Sequence, residues 1–258
     1  VAAELALIRR FIYEQQHPTP LSDPTTVQES LMLTFDTPED TLTVTPERLA
    51  IAGWAGRDQA GVQHHIDELA AIGVKPPSSV PLFYRASAQL LTQAENVEML
   101  GSEGSGEAEV CLVSDGDGRL WVTLASDHTD RKLEAVGVAE SKQLCAKPVA
   151  TQAWPLNEVR DHWDSLELAS EIEENGQTVT YQQGTLAELL DVDTLLAKLP
   201  DALKQGQSLA PNTLLLCGTV PAIGGIRTSP RFSMTLNDPV LNRRLSHSYI
   251  VVELEVAQ

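Results

Sequence analysis

Cysteine is scarce in this chain: Cys111, Cys145 and Cys217 are the only 3 in 258 residues, far apart and in apolar surroundings. That excludes a disulfide framework and a Cys-x-x-Cys zinc site, and makes a reducing, cytoplasmic setting the expectation. Basic residues are few as well. Against 36 Asp and Glu stand 18 Lys and Arg, a formal net charge of -18, which argues against nucleic acid or an anionic membrane surface as the main partner. An anionic small substrate stays open, because the local charge of a site can oppose the net charge. No apolar run approaches the roughly 20 residues that a membrane-spanning helix needs. Val1–Gln16 also lacks the layout of a secretory signal, since Arg9 and Arg10 interrupt its apolar part. Neither an internal repeat nor the strand–helix alternation of a parallel sheet is present.

What is present is a chain long enough to bury a full core, with more strand signals than helix signals. Leu5, Ile8 and Ile12 share one face of an amphipathic helix that His17-Pro-Thr-Pro20 stops, so residues 1–30 read as a helical extension and linker. Residues 31–90 read as a small N-terminal subdomain, with short strands at Leu31–Phe35, Thr41–Val44 and Leu49–Gly53, a loop at Gly53–Asp58, and a lid-type helix. Residues 91–258 read as the main β domain. Its strands are Glu107–Val113, Arg119–Ala125, a hairpin across Glu174-Asn-Gly176, an apolar Thr213–Cys217, and closing strands in Arg231–Leu236 and Ser248–Val256. Leu186 to Leu203 is helical in pattern but interrupted by Pro200. The fold class expected is mainly β, of the α+β type.

The densest chemistry lies between Gly106 and Arg131. Glu107 and Glu109 are two apart on a strand and share a face. Asp115-Gly-Asp-Gly118 is a turn, and Arg119–Ala125 runs back to deliver Asp127. With the turn centred on Gly116-Asp117, Asp127 falls beside Glu107. A Glu-x-Glu pair alone is common on solvated strand faces. Three converging carboxylates instead need a cation to offset their repulsion, and an all-oxygen set suits magnesium first, manganese or calcium next. His65 and Glu68, at i and i+3 on the lid-type helix, can pair as a general base and its orienting carboxylate; on their own they read first as an incidental surface ion pair. Lys142 and Lys147 are basic residues close in sequence to the cluster, and one of them could steady a developing oxyanion.

In order along the chain, these stretches resemble the fumarylacetoacetate hydrolase superfamily over roughly Ala50 to Val256, and within it an uncharacterised bacterial domain-of-unknown-function branch. Gly56-Arg57-Asp58 and His65-Ile-Asp-Glu68 look like the family's Gly-Arg-Asn-Tyr loop and His-x-x-Glu helix. Pro81-Leu-Phe-Tyr-Arg85-Ala-Ser87 is similar to its Pro-x-Leu-Phe-x-Lys-Pro-Ser segment. Glu107-Ala-Glu109 and Ser126-Asp127-His-Thr-Asp-Arg131 match its metal-binding motifs, Lys142 its active-site lysine, and Gly218-Thr219 its Gly-Thr-Pro loop. The resemblance implies a mixed β-roll, usually a homodimer, with magnesium or manganese on Glu107, Glu109 and Asp127. It implies His65, Glu68 and Lys142 as catalytic residues, and Arg57, Arg85, Gly218 and Thr219 against the substrate.

The substrate so implied is a 2-oxo acid or 1,3-dicarbonyl, split by carbon–carbon hydrolysis through a metal-stabilised enolate; decarboxylation, dehydration and isomerisation use the same site. Departures from the motifs bear on the substrate. Two more residues than usual separate Gly56 from the His-x-x-Glu pair, which lets His64 compete for His65's role. Arg85-Ala86 stands for Lys-Pro, and Val220 is inserted before Pro221. His128 should point away from the metal by strand alternation. A non-catalytic metabolite-binding protein on the same fold is the alternative from another class.

Overall fold

The computed structural model describes residues 31–71 and 76–257; the helical extension expected over residues 1–30 lies outside them. An antiparallel pair, β1 (Leu33–Asp36) and β2 (Thr41–Val44), opens the described chain. It is followed by β3 (Arg48–Gly53), helix α1 (Gln59–Ala71) and β4 (Leu82–Ala86). Next come β5 (Asn96–Leu100), β6 (Ala108–Ser114) and β7 (Leu120–Ser126), then the short helices α2 (Arg131–Glu134) and α3 (Val138–Leu144). After β8 (Trp154–Pro155), the hairpin β9 (Glu167–Glu174) and β10 (Gln177–Thr185) turns at Asn175-Gly176, both at positive φ as a tight two-residue hairpin turn requires. Helix α4 (Val192–Lys198), β11 (Thr213–Thr219), β12 (Arg231–Asp238) and β13 (Arg243–Leu254) complete the set.

These strands gather into a six-stranded sheet, β8-β7-β6-β11-β3-β4, and a five-stranded sheet, β10-β9-β12-β13-β5. Both are mixed: β11 runs parallel to β3 and β13 parallel to β5, while the other neighbours are antiparallel. The mainly β, α+β architecture expected from the sequence is the one observed. Within it, β3 and β4 from the 31–90 segment are strands of the same sheet as β6 and β7.

The alternation in Glu107–Val113 predicts one buried face. In the structure every residue of β6 is buried. The reason is that the six-stranded sheet is covered twice. Val110 and Leu112 pack into a large core with Val122, Leu124 and residues of the five-stranded sheet such as Phe232 and Met234. Cys111 and Val113 face a second core with Leu33, Phe35, Leu49 and Leu216. Fully burying one such aliphatic side chain contributes about 1.5–3 kcal/mol, so both layers pin the β6–β7 register. The Leu186–Leu203 pattern resolves into α4 flanked by 3-10 turns at Leu186–Glu188 and Asp201–Leu203. Asp191 starts α4 by accepting from the Thr194 N–H, and Pro200 follows its end.

Candidate active site

The β6–β7 hairpin builds the site. The Asp115 carboxylate accepts from the N–H groups of Asp117 (3.0 Å) and Arg119 (2.9 Å) and from Trp121 Nε1 (3.0 Å), which closes the turn over Gly116-Asp117. That turn sets Ala108 opposite Ser126, and the Asp127 N–H donates to the Glu107 carbonyl at 2.9 Å. Glu107 and Glu109, two apart, project to the same side. Ligand oxygens of Glu107, Glu109 and Asp127 all lie within 4.8 Å of one another.

The neighbouring strand braces this edge. Between Leu216 and Thr219 the β11–β6 register shifts, and Gly218 sits at φ 104°, a left-handed conformation that suits glycine. Its N–H donates to Glu109 Oε2 at 2.6 Å, and a Cβ at this position would stand 2.9 Å from the Cβ of Ala55. Thr219 Oγ1 donates to the Ala108 carbonyl (2.7 Å) and accepts from Gln182 Nε2 (2.6 Å), while Gln182 Oε1 accepts from the Ala108 N–H (2.9 Å). Gly218 and Thr219, expected against the substrate, are thus bonded to the carboxylate strand itself, and both also line the cavity described below.

Three basic side chains meet the carboxylates. Lys142 Nζ contacts Asp127 Oδ2 and lies 5.6 Å from the Tyr84 ring centroid. Lys147 Nζ is 3.0 Å from Asp127 Oδ1 and also donates to the His128 carbonyl. Arg131 places Nη2 3.3 Å from Glu107 Oε1, donates from Nη1 to Glu134 (2.8 Å) and from Nε to Ser105 Oγ (2.6 Å). Burial works to raise the Asp127 pKa, but Lys142 and Lys147 overcome it and hold the carboxyl down at about 2. Glu109 goes the other way. Burial first, then the charges of Asp127 and Glu107, push it well above the usual carboxylate range. Glu107 is also raised by burial, against the pull of Arg131. His128 is buried, and its Nδ1 pairs with Tyr249 Oη at 2.9 Å. Burial, aided by Lys147 and Arg131, lowers its pKa to about 3, so the ring is neutral.

The donor chemistry fits a hard divalent ion: three carboxylates, two of them buried, whose crowding already strains the ionised form of Glu109. Glu107, Glu109 and Asp127 are the residues that would hold it.

The remaining expected residues fall in different places. Helix α1 brings Val62 to the cavity wall, but the side chains of His65 and Glu68 lie outside the described residues. Arg57 forms a two-pronged pair with Asp164, both contacts at 2.6 Å, and donates from Nε to the Leu189 carbonyl at 2.8 Å. Arg85 is exposed on β4, whereas its neighbour Tyr84 lines the cavity, as strand alternation requires. The structure therefore brings neither Arg57 nor Arg85 into the cavity lining. Tyr84, Arg131, Glu134 and Gln182 join the site without having been singled out as site residues from the sequence. Lys147 was visible as a basic residue, and its place in the apolar run Cys145–Val149 was the available sign of burial.

The cluster opens into a cavity of about 770 Å³ lined by β3, the loop after it, α1, α2, α3 and the end of β11. Arg57 N–H to Glu188 carbonyl and Leu190 N–H to Ala55 carbonyl, both 2.8 Å, tie the Trp54–Asp58 loop to the segment that precedes α4.

Comparison with known proteins places this geometry. The model of a family described as "Protein of unknown function (DUF2848)" matches residues 52–249. No curated protein matches the chain in sequence. Among solved structures, a Burkholderia cenocepacia protein provisionally named a fumarylpyruvate hydrolase superposes with TM-score 0.60 at 16% identity, over 90% of this chain and 100% of that one. The fumarylpyruvate hydrolase from Pseudomonas aeruginosa, in complex with Mn2+ and pyruvate, gives TM-score 0.57 at 14% identity over 90% and 100%. A 2-keto-3-deoxy-D-arabinonate dehydratase complexed with magnesium and 2,5-dioxopentanoate gives 0.58 at 13% over 96% and 89%. These likenesses establish a shared fold with fumarylacetoacetate hydrolase-like proteins.

Proposed function

The chain belongs to the DUF2848 family and has the fold of fumarylacetoacetate hydrolase-like proteins, and from this premise we propose that it is a divalent-metal-dependent enzyme acting on a 2-oxo acid or 1,3-dicarbonyl. The reaction proposed is carbon–carbon hydrolysis of the acylpyruvate or fumarylacetoacetate type. The observation that carries it is the convergence of Glu107, Glu109 and Asp127 within 4.8 Å at the wall of a 770 Å³ cavity. Magnesium or manganese is the cofactor, a small 2-oxo acid the partner, and a homodimer the expected assembly; nothing points to nucleic acid or a membrane. The setting proposed is cytoplasmic.

When bound to the three carboxylates, the ion supplies Lewis acidity for negative charge growing on a substrate oxygen. The chain's own residues do the rest. Lys142, with its Nζ on Asp127, stands beside that charge and is the group to stabilise it. Burial lowers the Lys142 pKa, but the surrounding carboxylates outweigh this and raise it, keeping the side chain cationic. Arg131, tied to Glu107 and Glu134, offsets part of the negative charge at the edge of the cluster. His65, oriented by Glu68, is the proposed base. It takes a proton from water as that water adds to the distal carbonyl. The bond from that carbonyl to the adjacent methylene then breaks, its electron pair stays on the methylene carbon, and a proton completes pyruvate there while the acyl part leaves as a carboxylate. Gly218 and Thr219 hold the strand edge, and Thr219 remains the proposed contact for a substrate carboxylate, while Arg57 and Arg85 stay outside the lining.

A dehydratase reading on the same site has one observation behind it, the fold shared with the arabinonate dehydratase. Titration of chelator-treated protein with magnesium and manganese, with and without oxalate, tests the common premise. Oxalate, a planar mimic of the pyruvate enolate, should bind only when metal is present. Absence of both metal and oxalate binding would leave the carboxylates as structural residues and favour a non-catalytic binding protein.

A further inference from the structure

The cavity is larger than a 2-oxo acid head requires. At about 770 Å³ it has the size of pockets that enclose drug-sized ligands, and its walls divide sharply by chemistry. The charged lining residues are Glu107, Glu109, Asp127, Arg131, Glu134 and Lys142. They form one patch: Arg131 joins Glu107 to Glu134, Lys142 sits on Asp127, and Glu109 stands in the carboxylate cluster. Both cations in that patch are thereby engaged with carboxylates.

The rest of the lining is Trp54, Ala55, Val62, Val138, Leu189 and Ile226, other apolar or small residues, and the hydroxyl-bearing Tyr84 and Thr219. Among the described residues no basic side chain other than Arg131 and Lys142 lines the cavity. Arg57 spends its guanidinium on Asp164 and the Leu189 carbonyl, and Arg85 is exposed outside the lining. The apolar wall is also held in place. Gly56 bridges to Leu189, and the Leu190 N–H donates to the Ala55 carbonyl at 2.8 Å. A carboxylate carried against this wall would lose its water and, among the described residues, meet no cation in exchange.

We propose that the substrate carries an apolar, uncharged arm beyond its 2-oxo acid head, so that 2-oxo monocarboxylates are taken in preference to the dicarboxylates. The proposal deepens the functional reading above and rests on it. The head, with its single carboxylate, meets the metal-binding patch; the arm lies against the wall formed by the loop after β3, α1 and Leu189, and reaches Ile226. Among its described residues that wall carries no charged group, so the recognition it offers is mainly by apolar area.

The test is calorimetry on the manganese-loaded protein with three inert ligands: oxalate, N-isobutyloxamate and N-oxalylglycine. The last two share the oxalyl head and nearly the same shape, and differ in an isopropyl against a carboxylate at the end of the arm. N-Isobutyloxamate should bind at least tenfold tighter than N-oxalylglycine. Ile226→Arg, a change at a position 55% exposed and therefore tolerant of charge, should cut that ratio at least tenfold. Equal binding, or a preference for N-oxalylglycine in the unaltered protein, overturns the proposal while the metal-site reading survives. An unchanged ratio in the Ile226→Arg variant overturns the placement of the arm. Failure of oxalate itself to bind removes the metal-site reading, and this inference with it.

Discussion

Lys147, with no exposed surface, holds its Nζ 3.0 Å from Asp127 Oδ1, while Lys142 contacts the other oxygen of the same carboxylate. Asp127 is therefore clamped from both sides. The arrangement explains why one of three crowded acids stays ionised at low pH while its neighbour Glu109 resists ionisation. It also gives the carboxylate closest to Lys142 a fixed orientation before any ligand arrives.

Removing one partner of a buried pair leaves the other uncompensated, at a cost of about 3 kcal/mol or more. In Lys147→Met the carboxylate keeps Lys142, so the free energy of unfolding in urea should fall by less than that, about 1–3 kcal/mol. Asp127→Asn added to it should cost less than the sum of the two single changes, because the charges share one interaction. Additive effects would show that the pair contributes nothing to stability.

Gly218→Ala should destabilise the protein by about 1–3 kcal/mol, since φ 104° disfavours a side chain and the new Cβ would press on Ala55. The same change disturbs the N–H that holds Glu109 Oε2, so manganese affinity should fall with stability. A variant with unaltered stability and unaltered metal affinity would contradict both roles.

The pH dependence has two opposite parts. Asp127 has its folded pKa depressed to about 2, so its contribution to stability is present above the usual carboxylate range and is lost as pH falls toward that value. Glu109 has its folded pKa raised, so the metal-free protein loses stability as pH climbs from the usual carboxylate range through the raised value. Metal binding needs the ionised form. Manganese should thus displace a proton near the raised Glu109 pKa and none well above it. Calorimetry in two buffers of different ionisation enthalpy counts that proton; a count of zero throughout would mean Glu109 is ionised without the metal.

Lys142→Met should lower kcat on an accepted acylpyruvate by about 10²–10³-fold, the usual effect of losing one donor to a developing oxyanion. Manganese affinity should hold or tighten, because the side chain competes for Asp127 Oδ2. Full turnover in this variant would remove Lys142 from the proposed chemistry.

Local chemistry in the sequence determined a good deal of this protein. A period of two put Glu107 and Glu109 on one side, the Asp115–Gly118 turn chemistry set the register, and together they placed Asp127 beside Glu107, because hairpin geometry depends on residues close in the chain. Asn175-Gly176 marked its own turn for the same reason. The start of α2 is capped by Asp130, which accepts from the Leu133 N–H, a choice among adjacent short polar residues that only the backbone direction decides. What the tertiary structure alone decided comes from segments far apart in the chain. Burial of the second face of β6 depends on β1 and β3 packing over Cys111 and Val113. The bracing of Ala108 by Gln182, the retreat of Arg57 onto Asp164, and the double clamp on Asp127 depend on where distant side chains end their reach. Those contacts are set by the packing of one layer on another, which pattern along a strand does not encode.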